Sequence, residues 1–177
     1  MPSQVTAYRV FIASPGGLEE ERQAFRTVVN DYNESDALDE GVLFVPVGWE
    51  LARAGMGRPQ EVINRMVRRC DYFILVLHDR WGTAPSASGP YSSGTEEEYH
   101  VARECFRSET MRDIAVLFKE IDSAKLSDPG PQLQKVLDFR AGLEASRDLL
   151  YTRFDTLAGF EKQLRFHLGE WRRRHRA

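Results

Sequence analysis

Cys70-Asp71-Tyr72-Phe73-Ile74-Leu75-Val76-Leu77 and, after a loose Gly/Pro/Ser loop, Ser93-Gly94-Thr95-Glu96-Glu97-Glu98-Tyr99 decide how this chain folds. A strand with one wet face alternates apolar and polar residues. The run Tyr72 to Leu77 does not alternate, which suits a central parallel strand covered on both faces. Past the loop, Tyr99, Ala102, Cys105 and Phe106 recur at helical spacing and predict a helix opening near Thr95. Acidic residues in its first turn suit the helix dipole. The pair therefore places a carboxylate on the first turn of a helix, just beyond the carboxyl end of a sheet strand. Open α/β sheets bind small ligands there.

The same alternation continues in both directions. Tyr8 to Ala13 reads as a first strand broken by Ser14-Pro15-Gly16-Gly17, followed by a helix whose apolar face is Leu18, Phe25, Val28, Val29 and Tyr32. Asn33 to Gly41 reads as a polar loop and Val42 to Val47 as a second strand, with Pro46 marking an edge position or its end. A glycine-bearing connection, Gly48 to Arg58, leads to a helix begun by Pro59, with Val62, Ile63, Met66, Val67 and Cys70 inward. Ile114 to Phe118 and Leu149 to Phe154 give two more strands. A modest helix over Leu133, Val136, Leu137 and Leu143 lies between them, and a last helix buries Leu157, Phe160, Leu164, Leu168 and Trp171. Alternating strands and helices predict an α/β, flavodoxin-like three-layer sandwich around a five-stranded parallel sheet. The whole chain, residues 1–177, reads as a single domain, and its charged helical end suits the N-terminal module of a longer protein.

The composition narrows the classes of partner. With 42% hydrophobic and 29% charged residues and a net charge of -3, no overall field argues for nucleic acid or a membrane. The basic cluster Arg172-Arg173-Arg174-His175-Arg176 reads as a solvated helix end, where cations suit the dipole. Cys70 and Cys105 fall in apolar stripes, without metal spacing, and read as buried reduced thiols. No signal core opens the chain and no run is long enough to span a bilayer, so the expected compartment is cytoplasmic.

Helix phase separates the three glutamates. Glu98 stands four before Ala102 and seven before Cys105, along the edge of the stripe facing the sheet. Glu96 aligns with His100, Arg103 and Arg107 and reads as solvent-facing, while Glu97 is intermediate. Thr95 is placed to cap the helix or to hydrogen-bond a ligand. Loops after the first three strands line the same cleft and supply Ser14, Pro15 and Gly16, then Trp49 and Glu50, then His78, Asp79, Arg80 and Trp81. Trp49 or Trp81 can stack on a flat ring and Arg80 can meet a phosphate. Gly16-Gly17 reads first as a plain turn, because Glu19, Glu20 and Glu21 would repel an anion.

Gly94-Thr95-Glu96-Glu97-Glu98-Tyr99-His100-Val101-Ala102 resembles the Gly-Thr-x-x-Glu-x-x-x-Ala signature of nucleoside deoxyribosyltransferases, in which the glutamate attacks the anomeric carbon. The chain as a whole is still more similar to the TIR-like domains of bacterial defence and signalling proteins. That resemblance rests on Val10 to Arg22, Cys70 to Leu77, Arg80-Trp81-Gly82-Thr83 and Ser93 to Tyr99, in order. It departs from typical TIR domains where the first strand ends in Ala13-Ser14-Pro15-Gly16, and where no Trp-Cys precedes the glutamate. The resemblance implies cleavage of NAD, or a related nucleotide, at the nicotinamide–ribose bond by Glu98, with NAD as substrate and no bound cofactor. It also implies switching on by self-association. Two other expectations stand beside it. One is a non-enzymatic interaction module assembling through Trp49 to Arg58 and helix surfaces. The other is a deoxyribosyltransferase-like hydrolase of nucleosides. Nicotinamide leaves as a cationic group without general acid, and the transition state is oxocarbenium-like, so one carboxylate suffices.

Overall fold

Strands Thr6–Ala13 (β1), Val42–Val47 (β2), Tyr72–Leu77 (β3), Asp113–Lys119 (β4) and Tyr151–Phe154 (β5) form one parallel sheet, ordered β2-β1-β3-β4-β5. This computed structural model describes residues 4–52 and 58–175. The α/β flavodoxin-like fold expected from the sequence is the fold observed. β1 steps outward to β2 and the chain then returns across β1 to β3, so the strand order reverses between β1 and β3. The carboxyl ends of those two strands flank the position where such sheets hold ligands.

β3 divides the core. Tyr72, Ile74 and Val76 face one cluster, built with helices Glu19–Tyr32 (α1) and Leu157–Arg173 (α6). Phe73, Leu75 and Leu77 face the other, built with Pro59–Val67 (α2), Gly94–Arg107 (α3) and Pro131–Ser146 (α5). A short helix, Ser123–Ser127 (α4), precedes α5. Every residue of β3 is buried, which is why its sequence has no polar alternation. Each large side chain buried there contributes about 1.5–3 kcal/mol.

Three expectations change. The polar loop Asn33 to Gly41 is instead a π turn, Asn33–Ala37, running into a 3-10 turn, Leu38–Glu40. Asn33 sets it: Nδ2 donates to the Phe44 carbonyl (2.7 Å) and Oδ1 accepts from the Phe44 N–H (2.9 Å). That pairs backbone groups on the free edge of β2, which would otherwise lie open. Phe106 is 49% exposed and Leu157 37% exposed, so neither is core. Finally, the basic end of α6 is docked, not solvated. Arg172 pairs with Asp36 and Glu40, and Arg174 with Asp113. His175 stacks on Tyr8 and its Nε2 lies 2.6 Å from the Tyr72 hydroxyl. Arg176 lies outside the described residues, as do Arg53, Gly55 and Gly57 of the connection expected to mediate assembly. Among the described residues no helix is long and apolar enough to cross a membrane.

Candidate functional site

The start of α3 is fixed by its own side chains. Ser93, extended and fully buried, caps the helix through Oγ, which accepts from the Glu96 N–H at 3.0 Å. Glu96 reaches back, its Oε2 accepting from the Ser92 N–H (2.6 Å) and hydroxyl (2.9 Å). This is a variant of the reciprocal capping box. It explains why Glu96 does not join the solvent-facing ion pairs expected for it, and the cap assigned to Thr95 belongs to Ser93.

The next two glutamates point at α2 and meet different partners. Glu97, 5% exposed, takes a two-pronged contact from Arg58: Nη2 donates to Oε1 at 2.7 Å and Nη1 to Oε2 at 3.2 Å. Asn64 Nδ2 donates to the same Oε1 at 2.7 Å. Glu98, 6% exposed, has no cation beside it among the described residues. Its Oε1 accepts from Gln60 Nε2 at 3.1 Å, and that same nitrogen donates to Asn64 Oδ1 at 3.2 Å. Gln60 is buried, and its amide sits close against Gly94. A Cβ there would stand 2.6 Å from Gln60 Oε1.

Burial pushes the Glu98 carboxyl up to about 7, against the Gln60 hydrogen bond that lowers it and with the Glu97 charge that raises it further. The helix dipole was expected to keep this group ionised. Loss of hydration outweighs that contribution, because Glu98 lies beyond the first turn, whose acidic residues are Glu96 and Glu97, and the dipole's effect falls off within that turn. A carboxyl poised near neutrality can accept a proton, stabilise a cation or attack an electrophilic carbon.

The remaining expected residues gather at the carboxyl ends of β1, β2 and β3. Their hub is Arg22, buried on α1. Its Nη1 donates to Ser14 Oγ (2.8 Å) and to the Pro15 carbonyl (3.2 Å), and its Nε pairs with Glu50 at 3.0 Å. The guanidinium also lies over the Trp49 ring, 5.6 Å from its centroid, leaving Trp49 45% exposed. Gly16 is exposed, with nothing within 4 Å of where a Cβ would stand. Arg80 is exposed and runs its stem past Gly17, whose φ of +89° is in the range that favours glycine. Gly82, at φ +100°, sits between Pro15 and Ser93 and brings the loop after β3 against the start of α3. Gln132 clasps this loop, its Oε1 accepting from the Trp81 and Gly82 N–H groups at 2.9 Å each.

Trp81 does not fit the stacking role expected of it. Its indole is buried against Phe139 and donates from Nε1 to Ser92 Oγ at 2.7 Å, so it supports the α3 cap from within the core. Thr95 is buried and shares a small cavity with Leu75, Leu77, Trp81, Tyr99 and Phe139, on the α5 side of the helix. His78 lies beside Asp79, Nδ1 to Oδ1 3.4 Å.

Sequence reasoning missed Gln60, Asn64 and Arg22, although a signal for each existed. Gln60 shares the helical face of Ile63 and Val67, so a polar residue there had to be buried and partnered. Arg22 stands four after Leu18 and three before Phe25, inside the apolar face of α1. Asn64 follows Gln60 by four, the spacing at which side chains meet.

No curated protein matches the chain by sequence. Among solved structures, the crystal structure of the RPS4 and RRS1 TIR domain heterodimer superposes with a TM-score of 0.50 at 11% identity, over 93% of this chain and 97% of that one. The D319A mutant of the PilB minor pilin from Streptococcus sanguinis gives 0.43 at 11% identity, over 97% of this chain and 62% of that one. At such identities the likeness bears on the fold alone, and the fold is TIR-like. A family model matches residues 9–169, and the chain therefore belongs to the family described as domain of unknown function, DUF4062.

Proposed function

We propose that the chain cleaves the N-glycosidic bond of NAD or a related nucleotide, with Glu98 as the catalytic carboxylate. One observation carries the reading: among the described residues Glu98 is a buried carboxyl with no cation beside it, one residue from a buried carboxylate that has one. A carboxyl kept only for structure is paired, as Glu97 is, because an uncompensated buried charge is destabilising. Glu98 is instead held by a neutral amide at the carboxyl end of the sheet, where small ligands bind.

In this reading the ionised Glu98 faces the sugar carbon as nicotinamide departs with the bonding electrons. The carboxylate stabilises the cation electrostatically or captures it, and water completes hydrolysis. The exposed Trp49 ring and Arg80 guanidinium, with the Ser14, Pro15 and Gly16 turn, supply a flat contact, a phosphate partner and a close backbone approach. The heterodimer among the structural neighbours is a pair of TIR domains, and self-association of this chain as the activating event belongs to the same proposal.

The test is nicotinamide release from NAD by purified protein across a wide concentration range, with a nucleoside panel alongside. Release that grows more than linearly with protein concentration, and falls by about 100-fold or more in Glu98→Gln, is the expected result. Absence of nicotinamide at every concentration would sink the proposal, and so would undiminished release by the variant. Cleavage of nucleosides with no action on NAD would move the substrate class to that of the deoxyribosyltransferases.

A further inference from the structure

We infer that Gln60 and Asn64 form an oriented amide relay that lets the Arg58–Glu97 ion pair dictate the hydrogen-bonding role of Glu98. The relay rests on the proposed function only for its effect on activity; its structural content stands without it. Each link fixes the next. Glu97 is ionised and engaged by Arg58, so it accepts only, and Asn64 must turn Nδ2 toward it. That leaves Asn64 Oδ1 facing Gln60, so Gln60 must turn Nε2 toward Asn64. Both hydrogens of that nitrogen are then committed, one to Asn64 and one to Glu98 Oε1. Glu98 is left with the acceptor's part at Oε1, which the carboxylate fills more strongly than the carbonyl oxygen of a protonated carboxyl.

The reverse arrangement shows what the relay excludes. A protonated Glu98 donating to Gln60 requires the Gln60 amide to turn over. Its Oε1 would then face Asn64 Oδ1, and relieving that clash by turning Asn64 would set an oxygen against ionised Glu97. The buried fit of Gln60 beside Gly94 leaves little room for escape. Among the described residues the charge acting on Glu98 is Glu97 on its own helix; Arg58, at the start of α2, is taken up by Glu97 and by Glu61, with which it pairs at 3.6 Å. Gln60 and Asn64 are the uncharged groups between them. Both are positioning residues: Gln60 touches Glu98 and Asn64 acts through Gln60.

The test reads the titration of the Glu98 side-chain carboxyl by carbon NMR on the full chain. The Glu98 signal is assigned by its loss in Glu98→Gln, and folding of each variant is checked by thermal unfolding. Asn64→Leu removes the middle link without changing charge or touching Glu98. Gln60→Met removes the inner link with little change of volume. Both are expected to raise the Glu98 titration midpoint above wild type, by about half a unit or more, a shift set by loss of a hydrogen bond to the charged form. The acidic limb of nicotinamide release, where the protein shows it, moves the same way with kcat affected more than KM. A midpoint that moves in Gln60→Met but not in Asn64→Leu overturns the relay and leaves Gln60 acting alone. A midpoint that moves in neither overturns both roles. If the carboxyl shifts are seen while wild-type protein never releases nicotinamide, the relay stands and the NAD reading is what has failed.

Discussion

Glu97 and Glu98 are adjacent and almost equally buried, yet among the described residues Arg58 and Asn64 surround one while Gln60 serves the other. The difference has a thermodynamic consequence. A carboxyl raised from 4.5 to about 7 binds its proton more tightly folded than unfolded. Between those pH values the unfolded chain is ionised and the folded chain is not, so stability falls as pH rises and the penalty is complete above about 7. At full strength it is about 3 kcal/mol. Glu98→Gln, neutral at every pH, is therefore expected to match wild type near pH 4 and to exceed it by about 1–3 kcal/mol at pH 8, measured by urea unfolding. A variant that is less stable than wild type at pH 8 would show that Glu98 has a partner strong enough to sustain its charge. Helix phase left the burial of Glu97 ambiguous but made the inward turn of Glu98 legible, because it places Glu98 beside Ala102 and Cys105. Its poise was not legible, because that depends on a glutamine from a helix more than thirty residues away in the chain.

At the scale of elements, α3 is positioned by its first turn. Ser93 accepts from the Glu96 N–H, Glu96 accepts from Ser92, and the Ser92 hydroxyl accepts from the Trp81 indole. Ser93→Ala removes the cap from a fully buried position and is expected to lower stability by about 1–2 kcal/mol in urea unfolding. An unchanged unfolding midpoint would mean that Trp81 and Gln132 hold the helix start without it. The existence of α3 was legible; its cap was read at Thr95, and Glu96 was read as solvent-facing, although Ser93 with Glu96 three residues on is a local capping signature. The inner face of α3 was legible at Tyr99, Ala102 and Cys105 and failed at Phe106, which lies toward the helix end and is half exposed. Asn33 to Gly41 failed for another reason. Its polar residues read as a loop, but Asn33 is spent on the backbone of Phe44, a contact eleven residues away that no local pattern announces.

Taken as a whole, the molecule separates what holds it from what it presents. The α1/α6 side is an apolar cluster in which Phe160, Leu164, Leu168 and Trp171 close over β3 and β4; its buried charges, Glu21 and Arg22, are paired with Lys119 and Glu50, and the docked end of α6 seals its far end. The α2/α3 side carries Glu97, Glu98 and the amides between them, buried charge and polarity that an optimised core would not contain. A natural sequence tolerates such a site when the rest of the fold is stable enough to carry it. β3, buried along its whole length, stands between the two sides, and truncation on one side is expected not to reach the other. Leu164→Ala is expected to lower stability by about 2–5 kcal/mol through the lost contacts and the cavity left behind, while the Glu98 carboxyl titrates as in wild type. Unfolding in urea reads the first and carbon NMR of the carboxyl reads the second. A shift in the Glu98 midpoint in that variant would mean that the sheet transmits strain from α6 to α3, and that the site's poise is a property of the entire packed domain instead of the α2/α3 pair.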